Sequence, residues 1–276
     1  MIRSLLYVPA HSERFLAKAH QRGADAIILD LEDSVPPEHK SAARDGLAAS
    51  VVLARSGGAK VFVRINPGSD DDARAACRAR ADGLLLPKVQ RPETLVDLAT
   101  LLEPVENECA RPAMQFVALL ESPGAVLNAA AIARAPRLLG LALGGEDLAL
   151  TLGAQPTPAV LHLPKLLVHY AAKAQGLLSF GLLRSVADYA DLDAIKMAVQ
   201  EAQEHGFDGA TCVHPGVVPH LNAGFLPSSE QLDWATRVLA KADHQQGSFS
   251  LDGRMVDAPI VARARSIASR ARQDDS

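Results

Sequence analysis

The chain has 276 residues, of which 48% are hydrophobic and 22% are charged, and its formal net charge is −4 at pH 7. This composition is that of a globular protein with a sizeable core, and the negative charge argues against nucleic acid or an anionic membrane as a partner. No apolar run approaches the roughly 18 residues of a transmembrane helix. Met1 leads directly into a strand pattern, so we expect no secretory signal. Three cysteines without CxxC spacing favour reduced thiols and a cytoplasmic location.

Short runs of leucine and β-branched residues alternate with amphipathic segments of helical length. The runs predict strands at residues 4–8, 25–31, 60–65, 82–86, 115–120, 138–143, 177–181 and 209–213. The intervening segments predict helices at residues 12–22, 38–54, 70–79, 91–103, 124–134, 160–174, 190–205 and 228–243. Eight strands that are each followed by a helix predict an α/β fold, a (β/α)₈ TIM barrel, whose usual length is about 250 residues. The seventh strand is the least regular, since its leucine-rich sequence also fits a helix end.

The barrel pattern stops near residue 245. A turn at Asp252-Gly253 then leads to a last helix at residues 260–271, followed by a tail that we expect to fray. We therefore predict a barrel domain at residues 1–245 and a C-terminal extension at residues 246–276.

Two acids follow neighbouring predicted strands, where the site of a barrel enzyme is expected. Glu121 ends the fifth strand and Asp147 follows the sixth, so both are expected to point into the mouth of the barrel. Two carboxylates with open positions suit Mg²⁺, which keeps waters and takes further ligands from its substrate. Each acid alone also fits the first turn of a helix, where it faces the helix dipole.

Arg64 ends the third predicted strand, an awkward place for a charge unless an anion meets it. Its guanidinium matches a carboxylate bidentately. The alternative is a structural ion pair with Asp30, Glu32 or Asp33, and the two roles are compatible. Strand alternation places Asp30 and Glu32 on one face, and acids so close together need a cation, an arginine or a proton. We interpret Asp30, Glu32 and Asp33 as arginine holders or a water and proton relay, with a solvated loop as the alternative for Asp33.

Eight short motifs occur in order along the chain. They are RSLLYVPA (3–10), LDLEDSV (29–35), VRINP (63–67), LPKV (86–89), LESPG (120–124), GGEDLA (144–149), VHP (213–215) and DGRMVDAP (252–259). Together they resemble the citrate lyase β-subunit-like group of the HpcH/HpaI aldolase superfamily. The resemblance implies a TIM barrel that assembles as a homotrimer or a multiple of it. It also implies a Mg²⁺-dependent lyase, with Mn²⁺ as a substitute, that cleaves a citramalyl-CoA, malyl-CoA or citryl-CoA type of thioester into acetyl-CoA and a 2-oxo acid.

The resemblance also assigns roles to residues of this sequence. Glu121 and Asp147 match the metal ligands, and Arg64 matches the arginine that binds the substrate carboxylate. Asp257 matches an acid placed over the active site of a neighbouring subunit, where it serves as the general acid. The apolar residues around Asp257, such as Met255, favour docking of this segment on a partner subunit.

Other positions concern CoA and the acyl group. Arg14 and Lys18 on the first helix are candidates to bind the CoA phosphates. Lys165 and Gly181 stand where many members of the group carry an arginine and an aspartate, and Val218 or its neighbour stands in place of a glutamine. These departures leave the acyl group open, since small changes in loop shape discriminate such substrates.

Two other functions compete with the acyl-CoA lyase. The first is a free-substrate class II 2-oxo acid aldolase. Asp33, where those enzymes resemble Asp-x-Glu-His, and the segment around Asp257 both count against it. The second is a non-catalytic subunit that binds CoA esters in a larger assembly. Intact Glu121, Asp147 and Arg64 argue against that interpretation.

Overall fold

The structure, a computed structural model of the chain, describes residues 1–185, 189–245 and 247–272. Eight parallel strands lie in one sheet, and each matches its predicted range to within one residue at either end. The strands are β1 Ser4–Pro9, β2 Ala26–Asp30, β3 Lys60–Arg64, β4 Gly83–Leu86, β5 Gln115–Leu120, β6 Leu138–Leu143, β7 Leu178–Phe180 and β8 Ala210–Cys212. The predicted seventh strand is therefore confirmed.

The sheet closes into a barrel. Its strands are ordered β7-β6-β5-β4-β3-β2-β1-β8, and a parallel bridge joins Phe180 at the end of β7 to Gly209 just before β8. The Gly181 N–H donates to the Gly209 carbonyl at 2.9 Å across the same junction. The predicted TIM barrel is confirmed. Strands of such a barrel are covered on both faces, and β2 and β4 are accordingly buried throughout. This explains why their sequences are mostly apolar without alternation.

Helices follow the strands around the barrel. They are α1 Glu13–Ala19, α2 Lys40–Asp45, α3 Leu47–Arg55, α4 Asp70–Arg78, α5 Glu93–Glu108, α6 Pro123–Leu127, α7 Ala129–Ile132, α8 Gly145–Leu152, α9 Pro158–Ala174, α10 Leu192–His205 and α11 Val218–Gly224. Their starts carry the expected signals: the Ser122 and Thr157 side chains cap α6 and α9, each with proline as the next residue. None of the helices in the described ranges is long and apolar enough to span a membrane.

Two predicted helices were wrong in detail, and α8 and α11 were not predicted. The helix predicted at residues 38–54 is divided into α2 and α3 at Gly46, a residue that disfavours a helix interior. The helix predicted at residues 124–134 is divided at Asn128, a residue type whose side chain competes for backbone hydrogen bonds. α8 was missed because the Gly144-Gly145 pair resembles a turn, although it is the point where α8 begins.

Contacts group the chain into two compact units, residues Ile2–Asn222 and residues Ala223–Ser276 together with Met1. The second unit contains α12 Ser229–Ala242, a hairpin of β9 Phe249–Leu251 and β10 Arg254–Val256, and α13 Ala258–Arg272. The predicted turn at Asp252-Gly253 joins the two hairpin strands, and both turn residues have positive φ angles, 52° and 75°. The last four residues of the predicted tail lie outside the described residues.

The second unit has a small core of its own. Val238 of α12, Phe249 and Val256 of the hairpin and Ala264 of α13 are all buried together. Trp234 packs against this cluster, and the Arg263 guanidinium lies 4.4 Å from the centre of its ring. A cation over an indole face is a favourable contact that ties α13 to α12.

Candidate active site

A cavity of about 420 Å³ opens where the strands of the barrel end. Its wall includes Pro9, Arg64 and Gly181, which end or follow β1, β3 and β7. The charged residues that line it are the acids Asp30, Asp33, Glu121, Glu146 and Asp147 and the cations Arg64 and Lys165. Five carboxylates face two cations, so the cavity carries an excess of negative charge, which a bound cation or protons must offset.

Arg64 is held by three acids at the end of β2: Asp30 is the last residue of the strand, and Glu32 and Asp33 follow it. Its Nε and Nη2 atoms each lie 2.7 Å from an oxygen of Asp30, which is a bidentate pair. Its Nη1 atom lies 2.9 Å from Glu32 Oε2 and 3.3 Å from Asp33 Oδ2. Burial alone would raise the pKa of Asp30. The hydrogen bonds and charge of Arg64, together with hydrogen bonds from the Ser34 and Glu32 N–H groups, outweigh it and lower that pKa. The ring of Tyr7 lies under the guanidinium at 5.0 Å. The alternative of a structural ion pair is therefore present, and Arg64 also lines the cavity.

Glu121 is buried and has one backbone donor. The Lys88 N–H donates to Glu121 Oε2 at 2.7 Å, from a backbone position with the left-handed φ of 56°. Burial raises the pKa of Glu121 to about 7; the Lys88 hydrogen bond opposes this shift, and the charges of Asp147 and Glu32 add to it. The Lys88 ammonium meanwhile lies 3.4 Å from Glu32 Oε1. The Lys88 N–H thus fixes the position of the Glu121 carboxylate, which forms no ion pair within the described residues.

Gly144 leaves the space that the Glu121 side chain fills. A Cβ atom at residue 144 would lie 2.5 Å from Glu121 Oε1 and 2.6 Å from its Cγ, far inside van der Waals contact. The Gly144 N–H donates to the Leu120 carbonyl at 3.0 Å, so this loop is pinned to the end of β5. The absence of a side chain at residue 144 is therefore a condition for the observed position of Glu121.

Asp147 lies in the first turn of α8 and lines the same cavity as Glu121. Its carboxylate makes no hydrogen bond to the described part of the protein. Asp147 therefore lies at the positive end of a helix, and its role as a metal ligand stays a prediction. No group of three or more His, Cys, Asp or Glu side chains arranged for a metal occurs in the described ranges. Glu121 and Asp147 would thus supply two ligands and leave the other positions to water or substrate oxygens, an arrangement that fits Mg²⁺.

Lys165 of α9 lines the cavity although the sequence marked it only as a departure from the group. It is 4% exposed, and its Nζ donates to the carbonyls of Leu182 at 2.5 Å and Arg184 at 2.6 Å. Burial lowers its pKa to about 8, against the opposing effect of Glu146. A signal existed in the sequence, because residue 165 falls at helical spacing between apolar Leu161 and Val168, on the buried face of α9.

Glu32, Arg14 and Lys18 are predicted site residues of the barrel that do not line this cavity. Glu32 is buried against Arg64, with its Oε2 2.9 Å from the Arg64 Nη1 atom. Arg14 and Lys18 are exposed on α1. Asp257 belongs to the second unit, where its Oδ1 accepts a hydrogen bond from the Ile260 N–H at 3.4 Å in the first turn of α13. Their roles toward CoA and in catalysis stay predictions.

Comparison with known protein families shows the family of this chain. The profile of the HpcH/HpaI aldolase/citrate lyase family matches residues 3–215. The chain belongs to this family. A (3S)-malyl-CoA thioesterase of Cereibacter sphaeroides is 34% identical over 280 residues, which cover 98% of this chain and 94% of that protein. The citrate lyase subunit beta-like protein of Mycobacterium tuberculosis is 31% identical over 277 residues, which cover 96% of this chain and 94% of that protein.

Solved structures of the HpcH/HpaI family include similar barrels. The protein CitE from Mycobacterium tuberculosis, crystallised with magnesium, acetoacetate and coenzyme A, is similar with a TM-score of 0.80 and 31% sequence identity. The match covers 98% of this chain and 97% of that one. The predicted resemblance to citrate lyase β-subunit-like proteins is therefore confirmed.

Proposed function

We propose that this HpcH/HpaI family member is a Mg²⁺-dependent carbon–carbon lyase. Its substrate is a 3-hydroxyacyl-CoA thioester of the citramalyl-CoA, malyl-CoA or citryl-CoA type, and its products are acetyl-CoA and a 2-oxo acid. The observation that carries the proposal is the convergence of Glu121, Asp147 and Arg64 on one cavity. The magnesium, acetoacetate and coenzyme A bound by the mycobacterial relative support the same classes of ligand here.

Glu121 and Asp147 are the residues that would hold Mg²⁺, or Mn²⁺ in its place. The cavity has more carboxylates than cations, and burial raises the pKa of Glu121 to about 7. A bound cation would therefore reduce the electrostatic repulsion among these carboxylates. When bound, the ion would act as a Lewis acid and as a template for the oxygens of the 2-hydroxy acid group.

Arg64 would bind the carboxylate of the substrate. Its bidentate pair with Asp30 fixes the plane of the guanidinium, while the 3.3 Å contact with Asp33 is the longest of its ion pairs. The Asp33 side chain is 62% exposed, so a substrate carboxylate can replace this contact at the lowest cost. Asp30 and Glu32 then keep the cation oriented.

Cleavage moves one proton from oxygen to carbon. The hydroxyl of the substrate loses its proton, the neighbouring carbon–carbon bond breaks as the 2-oxo group forms, and the electron pair passes to the enolate of acetyl-CoA. Glu32 and Asp33 would relay the departing proton. Glu32 suits this role because burial raises its pKa, which favours the protonated form. Asp257 of a neighbouring subunit would protonate the enolate carbon.

The remaining partners follow from the same proposal. Asp257 acts in trans, so the active form is a homo-oligomer, a trimer or a multiple of it. Arg14 and Lys18 are exposed cations on α1 that would meet the CoA phosphates. A free-substrate aldolase and a non-catalytic CoA-ester-binding subunit remain the alternatives outside this class.

Thioester hydrolysis is a second candidate, since the Cereibacter relative is a (3S)-malyl-CoA thioesterase. In that reaction water attacks the thioester carbonyl, CoA leaves as the thiol, and the carbon–carbon bond stays intact. The two reactions therefore differ in their products.

A panel of 3-hydroxyacyl-CoA esters tests the proposal. Each ester is incubated with the protein and Mg²⁺, and acetyl-CoA, 2-oxo acid and free CoA thiol are measured separately. We expect acetyl-CoA and 2-oxo acid in equal amounts from at least one ester, with no turnover in excess EDTA or by Glu121→Gln. Free thiol without 2-oxo acid would instead establish the thioesterase. Tight binding without any product would favour the non-catalytic subunit.

A further inference from the structure

The mouth of the barrel has two cations on opposite sides, of which Lys165 is buried and Arg64 is partly buried. Arg64 ends β3, and Lys165 hydrogen-bonds the chain that follows β7. In the strand order, three strands separate β3 from β7 in either direction around the barrel. Glu121 follows β5 and Asp147 follows β6, between the two cations. The two carboxylates therefore lie between Arg64 and Lys165 around the mouth, so a ligand that extends from Arg64 past them approaches Lys165.

Lys165 differs from Arg64 in the groups that hold it. An ammonium group has three donors, and Lys165 gives two of them to the carbonyls of Leu182 and Arg184. Within the described residues it forms no ion pair, and nearby Glu146 is instead bonded to the Ser185 hydroxyl. With a pKa of about 8, the buried amine is still mostly protonated at neutral pH. One N–H and a positive charge thus remain for a group in the cavity.

There is also space for a ligand next to this cation. Gly181, directly after β7, lines the same cavity and has no side chain to occupy it. A Cβ atom at residue 181 would meet only the ring of Phe207, at the ordinary contact distance of 3.6 Å. The β7 side of the cavity therefore combines room with a buried ammonium, and a carboxylate is the oxygen acceptor that such a cation binds best.

We propose that Lys165 binds a second carboxylate of the ligand, so that the site selects 2-oxo dicarboxylic acids over 2-oxo monocarboxylic acids. The proposal rests on the function proposed above and names its substrate class. Lys165 is then a specificity-determining residue that touches the ligand. Arg64 and the metal site bind the 2-oxo acid group that all these ligands share. Lys165 contacts the other end of the ligand, where a dicarboxylic acid has a carboxylate and a monocarboxylic acid does not.

Matched pairs of acids test the inference by equilibrium binding in the presence of Mg²⁺. Oxaloacetate is compared with 2-oxobutanoate and 2-oxoglutarate with 2-oxopentanoate, so that each pair exchanges a carboxylate for a methyl group at one chain length. In at least one pair we expect the wild type to bind the dicarboxylate roughly tenfold more tightly or better, as for a hydrogen bond between charged groups. Lys165→Met should abolish this preference and leave the affinity for the monocarboxylate within about threefold.

Lys173→Met is the matched control, because it removes a lysine of the same helix whose partner is Asp208, outside the cavity. It should keep the preference. Lys165→Gln, which keeps a hydrogen-bond donor, covers the case in which the Met variant does not fold. Equal affinities within both pairs in the wild type, or a preference that survives the loss of the Lys165 charge, would overturn the inference alone. Failure of all four acids to bind the wild type would overturn the proposed function as well.

Discussion

The barrel and the C-terminal unit distribute their charges in opposite ways. In the barrel, seven charged side chains line one cavity, and the buried Asp30–Arg64 pair is surrounded by further acids. In the C-terminal unit the interior is apolar, formed by residues such as Val238 and Phe249, and charged pairs such as Arg237–Asp252 lie exposed. Exposed pairs contribute little to stability, so that unit depends mainly on its apolar cluster.

This difference predicts that substitutions in the barrel cavity will affect ligand binding and catalysis most. Charges gathered in a cavity are costly without a ligand, which is typical of sites that bind or react. Asp257 is the one residue of the C-terminal unit to which we assign chemistry, and within its unit it caps a helix. Substitutions in both units can test whether Asp257 is an exception to this contrast.

The largest effect is expected from Asp257→Asn, because removal of a general acid lowers turnover by roughly 10²–10⁴-fold. Glu121→Gln should be similarly inactive. Mixing the two variants under subunit exchange should restore activity if Asp257 acts in trans. Random assortment of the subunits around a closed ring would then leave roughly a quarter of the sites intact.

Asp252→Asn is the control for that experiment, since asparagine also tolerates the positive φ of this turn. It removes an exposed acid five residues away and should retain activity. Proven exchange without recovery would show that Asp257 does not act across subunits.

Gly144→Ala should lower kcat/KM by about 100-fold, the effect of roughly 1 Å of misplacement in an active site. The added methyl group would overlap Glu121, whose carboxylate must then move. Gly124→Ala is the matched control, because a Cβ there would meet nothing within 4 Å. Unchanged kinetics and Mg²⁺ dependence in Gly144→Ala would show that the position of Glu121 is not critical.

Arg64→Lys should lower kcat/KM by about tenfold or more, since a lysine cannot reproduce the bidentate geometry toward Asp30 and a substrate carboxylate. Arg55→Lys is its control: that arginine pairs with Asp82 at a half-exposed site outside the cavity. Wild-type kinetics in Arg64→Lys would show that Arg64 has a structural role and does not bind the substrate carboxylate.

The smallest effect concerns stability against pH. The pKa of Glu121 in the folded chain is raised to about 7 from an ordinary value of 4.5, so its contribution is favourable at low pH and is lost as pH rises from about 4.5 through 7. The Tm in EDTA should fall over this range, by roughly 2–4 °C for each kcal/mol. Glu121→Gln and added Mg²⁺ should both flatten the profile. A Tm that does not change between pH 5 and about 7.5 would contradict the assigned burial of this charge.

Much of this architecture was predictable from sequence. Parallel strands covered on both faces leave unbroken apolar runs, and turns such as Pro87-Lys88 mark where those runs end. Barrel topology then brings Arg64, Glu121 and Asp147 to the same end, so the sequence already predicted that these three candidates would line one cavity.

Features set by distant contacts could not be predicted in the same way. Helical spacing places Lys165 on the buried face of α9, but no local pattern shows that carbonyls beyond β7 will accept its hydrogen bonds. The steric dependence of Glu121 on Gly144 likewise joins two loops that are distant in sequence.

The contact between Trp234 and Arg263 has a practical consequence, because the chain contains a single tryptophan. Indole fluorescence excited at the red edge of protein absorption reports on the C-terminal unit alone, whereas far-ultraviolet circular dichroism reports chiefly on the helices and strands of the barrel. Coincident unfolding curves from the two signals would mean one cooperative transition, and separated curves would mean two. The chain therefore carries an intrinsic optical probe, without labelling, for the unit that contains Asp257.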